Sequence, residues 1–139
     1  TDIVTREQRS RNMSRIRSRD TKPEIHVRSL LHRIGYRFRP HRGDLPGCPD
    51  IVLPRYRTVI FVHGCFWHRH RSCRFAYTPK SRVEFWKTKF RDNIRRDRRV
   101  RKELAKLGWN VVVVWECELR DQESLEARLM SKLQNSEPE

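Results

Sequence analysis

The sequence has no apolar stretch approaching the roughly 18 residues that a membrane span requires, so a membrane protein of the helical type is not expected. Its opening, TDIVTREQRS, lacks the charged-then-apolar pattern of a signal peptide. No internal repeat and no Gly/Ser linker divides the 139 residues, so one domain with a compact core is expected across 1–139. Acidic residues are scarce: 17 Asp and Glu face 32 Lys and Arg, leaving a formal charge of +15. That excess points to a polyanion, because clustered Lys and Arg release counterions from phosphates. With no secretory signal, the four cysteines are expected as thiols, which favours metal binding over cross-links.

What is present reads as alternating helices and strands. Residues 5–18 are basic, with Met13 and Ile16 as apolar points, and suit an arm or a helix that orders on its partner. Pro23 opens a helix through "PEIHVRSLLHRIG", with Ile25, Leu30, Leu31 and Ile34 as its stripe and Gly35 as its stop. "YRFRP", "DIVL" and "TVIFV" read as strands. Ser81 and Glu84 have the spacing of a capping box for a long helix carrying Trp86, Phe90, Ile94, Leu104 and Leu107. "WNVVVVWE" is a central strand, and residues 122–134 form a last amphipathic helix. The order implies an α/β fold, a mixed sheet flanked by helices.

The stretch "GCFWHRHRSC" puts two cysteines, two histidines and a Phe-Trp pair in ten positions. Zinc takes four Cys or His ligands in a tetrahedron. Cys65, His70 and Cys73 offer three, and Cys117, beyond the last strand, is a sensible fourth. Spacing alone leaves His68 competing with His70. The plainer reading is a buried Cys117 thiol and solvated histidines. Phe66 and Trp67 either stack on bases and wedge between them or cap the core beneath the metal.

Asp50 heads an apolar strand in "PGCPDIVL". A carboxylate held there suits Mg²⁺, which polarises a phosphoryl oxygen. His63 and His68 follow the next strand and reach the same edge, where an imidazole is a competent general base. Glu24 is either a supporting carboxylate or simply an acid at a helix N-terminus. Between Lys87 and Lys102 nine basic residues face two Asp, which reads as a phosphate-tracking surface. Lys89 and Asn93 share one helix face and belong to types that bond base edges. Trp86 belongs to the core or joins Phe66 and Trp67.

"RSRNMSRIRSRDTKPE", "LPGCPDIVLPRYRTVIFVHGCFWHRH", "EFWKTKFRDNIRRDRR" and "LGWNVVVVWECELR" closely resemble the very-short-patch-repair (Vsr) DNA mismatch endonucleases, over about residues 6 to 120. The resemblance implies a restriction-endonuclease-like α/β fold with a structural zinc. It implies nicking of one strand 5′ to the thymine of a T:G mismatch, the first step in repairing deaminated 5-methylcytosine. Matched residue by residue, it implies magnesium on Asp50 and on the Val62 backbone carbonyl, with two ions in all. His68 becomes the catalytic histidine, with His63 and Glu24 beside it. The zinc ligands become Cys65, His70, Cys73 and Cys117, favouring His70 over His68. Phe66, Trp67 and Trp86 become intercalating residues, and Met13, Lys89 and Asn93 the readers of the mismatch. The implied partner is mismatched double-stranded DNA, bound by a monomer in the bacterial cytoplasm at the nucleoid, with downstream repair proteins as further partners.

Three departures stand out. Val62 replaces a threonine of a familiar family member, the His70–Cys73 stretch is one residue longer, and Cys48 sits beside Pro49 and Asp50, read as a bystander and not a fifth zinc ligand. The second acid and lysine that many nucleases carry on the next strand are missing, and "VIFVHG" offers a histidine instead. Two rival readings are a zinc-braced DNA-binding module without catalysis and a nuclease of the same fold with another DNA substrate.

Overall fold

The computed structural model describes residues 21–134. Helix α1 (Lys22–Arg33) begins where Thr21 accepts the Glu24 N–H on its hydroxyl and Pro23 pre-sets the first turn. It leads to a short strand β1 (Arg39–Pro40), then β2 (Ile51–Leu53), a 3₁₀ turn and β3 (Thr58–His63). The long helix α2 (Val83–Lys106) crosses to β4 (Asn110–Trp115), and a second 3₁₀ turn (Glu116–Arg120) precedes α3 (Gln122–Gln134). The expected order of helix, three strands, helix, strand and helix is the observed one.

The strands form one sheet in the order β1-β2-β3-β4, antiparallel at the first two junctions and parallel at the third. A parallel pair needs a long crossover, and α2 supplies it. Alternation in the strands sends residues to two cores. Ile51, Leu53, Ile60, Val112 and Val114 pack with Val27, Leu30 and Leu31 of α1 and Leu125, Leu129 and Leu133 of α3. Val52, Val59 and Phe61 face Val100 and Leu104 of α2, with Leu45 and Trp109. Both faces of the sheet are therefore covered by helices, which explains the nearly continuous apolar runs of β2 and β3. Among the described residues no helix is long and apolar enough to cross a membrane.

Three local expectations are corrected. The strand read from "YRFRP" shrinks to Arg39–Pro40, because only those residues find partners on β2. The Ser81–Glu84 capping box does not form: α2 starts one residue later, after Arg82 in the left-handed region (φ 55°), and no side chain caps it. Ile25 and Leu107, assigned to apolar stripes, are exposed. Val27 and Val100 take those inward positions instead.

Candidate active site and metal corner

The chemistry gathers at one end of the sheet. Because β3 and β4 run parallel, with His63 beside Trp115, their carboxyl ends leave the sheet together. Cys65 lies two residues past the end of β3, and Cys117 two past the end of β4. Register alone thus carries them to one corner. The loop between them returns His70 and Cys73 to the same place, bending through left-handed backbone at Arg69 and Ser72. Ligand atoms of Cys65, His70, Cys73 and Cys117 all lie within 4.8 Å of one another. His70 Nδ1 is 3.7 Å from the Cys65 sulfur and 3.4 Å from that of Cys117. Bonds of about 2.3 Å to sulfur and about 2.0 Å to nitrogen would set the corners of a zinc tetrahedron about 3.5 Å apart, so the set fits that ion. Without a cation the sulfurs resist ionising together: burial, with Cys117 alongside, pushes the Cys65 thiol up to about 12.

The corner is braced from outside. Arg128 of α3 forks onto Glu118, one residue after Cys117, at 2.8 and 3.0 Å, and also donates to the Val113 carbonyl. Arg69 donates to the Tyr77 carbonyl at 2.9 Å while its guanidinium covers the Phe90 ring at 4.0 Å. His70 stacks on Trp115, with ring centres 4.2 Å apart.

Beside this corner opens a cleft of about 820 Å³. Asp50, His63, His68, Glu24 and Val62 all line it, as do Trp67, Lys89 and Asn93. Asp50 stands where β2 begins, and its carboxylate accepts the Val62 N–H at 2.7 Å across the β2–β3 pair. The turn before it runs through Gly47 and Cys48, both in the left-handed region. A Cβ on Gly47 would sit 2.5 Å from Val100, so glycine is required for α2 to approach. Burial pushes the Asp50 carboxyl up to about 7, against the Val62 N–H and with the help of Glu24. Glu24, 3% exposed, meets His41 at 3.3 Å. Glu24, His41 and Asp50 bring ligand atoms within 4.8 Å of one another. A carboxylate kept from ionising by burial and a second acid is a site that a divalent cation relieves, and its oxygen donors suit magnesium.

The two histidines form a second group in the cleft. His63 and His68 lie face to face, ring centres 3.8 Å apart and planes 4° from parallel. His68 Nδ1 meets Asp97 at 2.8 Å. Burial, then the neighbouring His68, lowers His63 to about 3, so it is an uncharged imidazole at neutral pH. Its Nδ1 is buried with no hydrogen-bond partner. Geometry separates the two loop histidines: His70 turns to the cysteines and His68 to Asp97.

Phe66, Trp67 and Trp86 form one aromatic cluster, each pair 5.2–5.7 Å apart, extended by Phe90, Phe85 and the exposed Tyr77. All three are half-buried, so they cover the core and present a face to solvent at once. Asn93 donates its amide to the Trp67 carbonyl at 3.1 Å, tying the helix to the aromatic loop. Met13 lies outside the described residues.

Sequence reasoning missed His41, Asp97 and Arg69. Asp97 had a signal: it follows Lys89 and Asn93 at four-residue steps, so an acid inside a basic run shared their face. His41 and Arg69 had none, since their placement depends on turns with left-handed backbone.

Comparison with known proteins shows which proteins the chain is similar to. A family model described as DNA mismatch endonuclease Vsr matches residues 1–74. The Type II nicking enzyme V.XorIIP of Xanthomonas oryzae pv. oryzae is 55% identical, over 98% of this chain and 99% of that protein. DNA mismatch endonuclease Vsr of Escherichia coli is 48% identical, over 89% of this chain and 79% of its own length. Among solved structures, the catalytic domain of homing endonuclease I-Bth0305I covers 84% of this chain and 98% of its own, with a TM-score of 0.58. At 18% identity that last likeness is one of fold.

Proposed function

Because the chain belongs to the Vsr family of DNA mismatch endonucleases, we propose that it nicks one strand of duplex DNA 5′ to the thymine of a T:G mismatch, with magnesium in the cleft and zinc in the sulfur corner. The observation that carries this reading is the convergence of Asp50, His63 and His68 on one cleft that the basic helix α2 also borders. A DNA-binding module would need the charge and the aromatics but not that convergence.

Asp50 and the Val62 carbonyl would hold the magnesium, with Glu24 near a second ion. When bound, magnesium polarises the phosphoryl oxygen and stabilises the charge that builds in the transition state. His68 takes the proton of the attacking water. The Asp97 carboxylate at Nδ1 fixes the tautomer and leaves Nε2 as the base. His63 stacks behind His68 and, uncharged, keeps the ring in place without raising its positive charge. Basic residues of α2 hold the backbone. Phe66, Trp67 and Trp86 enter the stack beside the wobble pair, which unstacks more cheaply than a Watson–Crick pair. Lys89 and Asn93 face the cleft, where the mismatched bases would be read, together with Met13. The products are a 3′-hydroxyl and a 5′-phosphate. Zinc on Cys65, His70, Cys73 and Cys117 is structural, since four protein ligands leave no open position. A monomer of one domain, acting in the bacterial cytoplasm ahead of other repair proteins, completes the reading.

The test compares duplexes carrying T:G, C:G or a branch, with the nick mapped by strand and position. The wild type should cut only beside T:G. His68→Ala should slow nicking by about 10² to 10⁴-fold, and Asp50→Ala should abolish it. Full nicking by either variant removes that residue from the mechanism, and equal cutting of C:G removes the mismatch.

A further inference from the structure

His63, His68 and Asp97 differ in donor chemistry from both neighbouring sites. They offer two imidazole nitrogens and one carboxylate oxygen, all within 4.8 Å of one another. Within the same group, His63 Nδ1 is buried without a partner in a side chain only 7% exposed. We propose that His63, His68 and Asp97 form a binding site for a borderline-soft transition ion such as zinc, cobalt or nickel, distinct from the magnesium position on Asp50 and from the sulfur corner, and that filling it stops nicking.

Imidazole suits zinc, cobalt and nickel, whereas magnesium prefers oxygen. The stacked rings and the 2.8 Å contact to Asp97 already place the three groups on one side of the cleft. Ligand atoms around such an ion stand about 3.3 Å apart for bonds of about 2.0 Å, so side-chain rotation suffices to close the set. Two histidines and a carboxylate leave coordination positions open to the cleft, so the ion can enter by that route. Held at His68 Nδ1 beside Asp97, it displaces the proton of that nitrogen to Nε2, and the ring can no longer act as a base. The inhibitory half of the proposal rests on the reading of His68 as the base; the binding half does not.

Cobalt uptake by the full chain, with its sulfur corner filled by zinc, tests the site. One further equivalent should bind with weak visible bands and without the strong near-ultraviolet bands of a thiolate ligand. His63→Gln and Asp97→Asn should each lower its affinity at least tenfold, and Asp50→Asn should leave it unchanged. No further equivalent, thiolate bands, or loss in Asp50→Asn with retention in His63→Gln overturns the site. Magnesium-driven nicking of a T:G duplex, measured alongside, should fall at least tenfold as zinc fills the site, and a tenfold rise in magnesium should not restore it. Cobalt bound as expected with nicking undiminished keeps the site but overturns both its inhibitory role and the assignment of His68 as base.

Discussion

The sulfur corner and the carboxylate cleft lie side by side, share one loop, and solve opposite problems. The corner gathers four candidate ligands, two from just past the ends of parallel strands and two from the loop after β3, and closes on itself behind the Arg128–Glu118 fork. The cleft holds its acids apart from any such closure, open to a volume of about 820 Å³. Softness of donor sorts the ions, and closure sorts the roles. Within residues 63–73 alternate side chains serve different sites: His63 and His68 face the cleft, and Cys65, His70 and Cys73 the corner. On the proposed reading, zinc in the corner would brace the backbone from which His68 hangs.

The strongest way to break that contrast is to strip each ion in turn. Removing zinc with a tight chelator, or replacing Cys117 by Ser, should cost on the order of 5 kcal/mol or more, because the unfolded chain has no such ligand set and the ion's binding energy is folding energy. The melting temperature should fall by about 10 °C or more, with nicking lost in step. Chelating magnesium alone should abolish nicking and lower the melting temperature by less than zinc removal does. A brace that is dispensable would appear as a Cys117→Ser protein melting with the wild type.

The next largest effect runs the other way. The folded Asp50 carboxyl titrates near 7, against an ordinary 3.8. Below about pH 4 it is neutral whether folded or not, and the burial costs nothing. As pH rises the unfolded chain loses that proton first, so stability falls and the whole deficit is in place above about pH 7. At about 1.4 kcal/mol per pH unit the ceiling is about 4 kcal/mol. Asp50→Asn should therefore stabilise the magnesium-free protein at pH 8 by about 2 to 4 kcal/mol and by nearly nothing at pH 4. Thermal melts across that range, with and without magnesium, measure it. Equal melting of both proteins at pH 8 would show that burial does not strain the carboxylate.

The two regions were also unequally legible. Cys65, Cys73 and Cys117 announce themselves by residue type, and strand order suffices to bring Cys117 to the loop. Asp50 and His63 were legible because each abuts an apolar strand, whose direction fixes where its end lies. What stayed hidden depends on turns. His41, Cys48, Arg69 and Arg82 adopt left-handed backbone that no propensity assigns to such residues, and they set where Glu24 finds a partner, how the loop closes and where α2 begins. Asp97 was overlooked for a different reason: inside a run of nine basic residues it read as charge balance, and only its distance from His68 gives it a role.

Smaller effects sharpen the boundary between brace and cleft. Trp67 belongs to both, since it sits in the loop between Cys65 and His70 and lines the cleft, where its carbonyl takes the Asn93 amide. Trp67→Ala should weaken binding to a T:G duplex by about 1–3 kcal/mol, the usual worth of one stacked base. Binding to a fully paired duplex should change by less, because intact pairs admit no wedge. Competition binding with the two duplexes separates these cases, and an equal loss on both would make Trp67 a mere cover for the core.

The smallest change concerns the other side of α2. There Lys87, Arg91 and Arg95, with Arg69 of the loop, border a groove floored by Phe90 and Ile94, away from the cleft-facing Lys89 and Asn93. If the duplex spans both regions, these cations neutralise phosphates beyond the mismatch. Each contributes about 0.9 to the slope of log affinity against log salt. Lys87→Ala, Arg91→Ala and Arg95→Ala together should lower that slope by about 2 to 3, equally on T:G and C:G duplexes, because phosphate contacts carry no sequence information. The ratio of the two affinities should not move. A changed ratio would place these side chains among the groups that read the mismatch, and an unchanged slope would confine the DNA to the cleft.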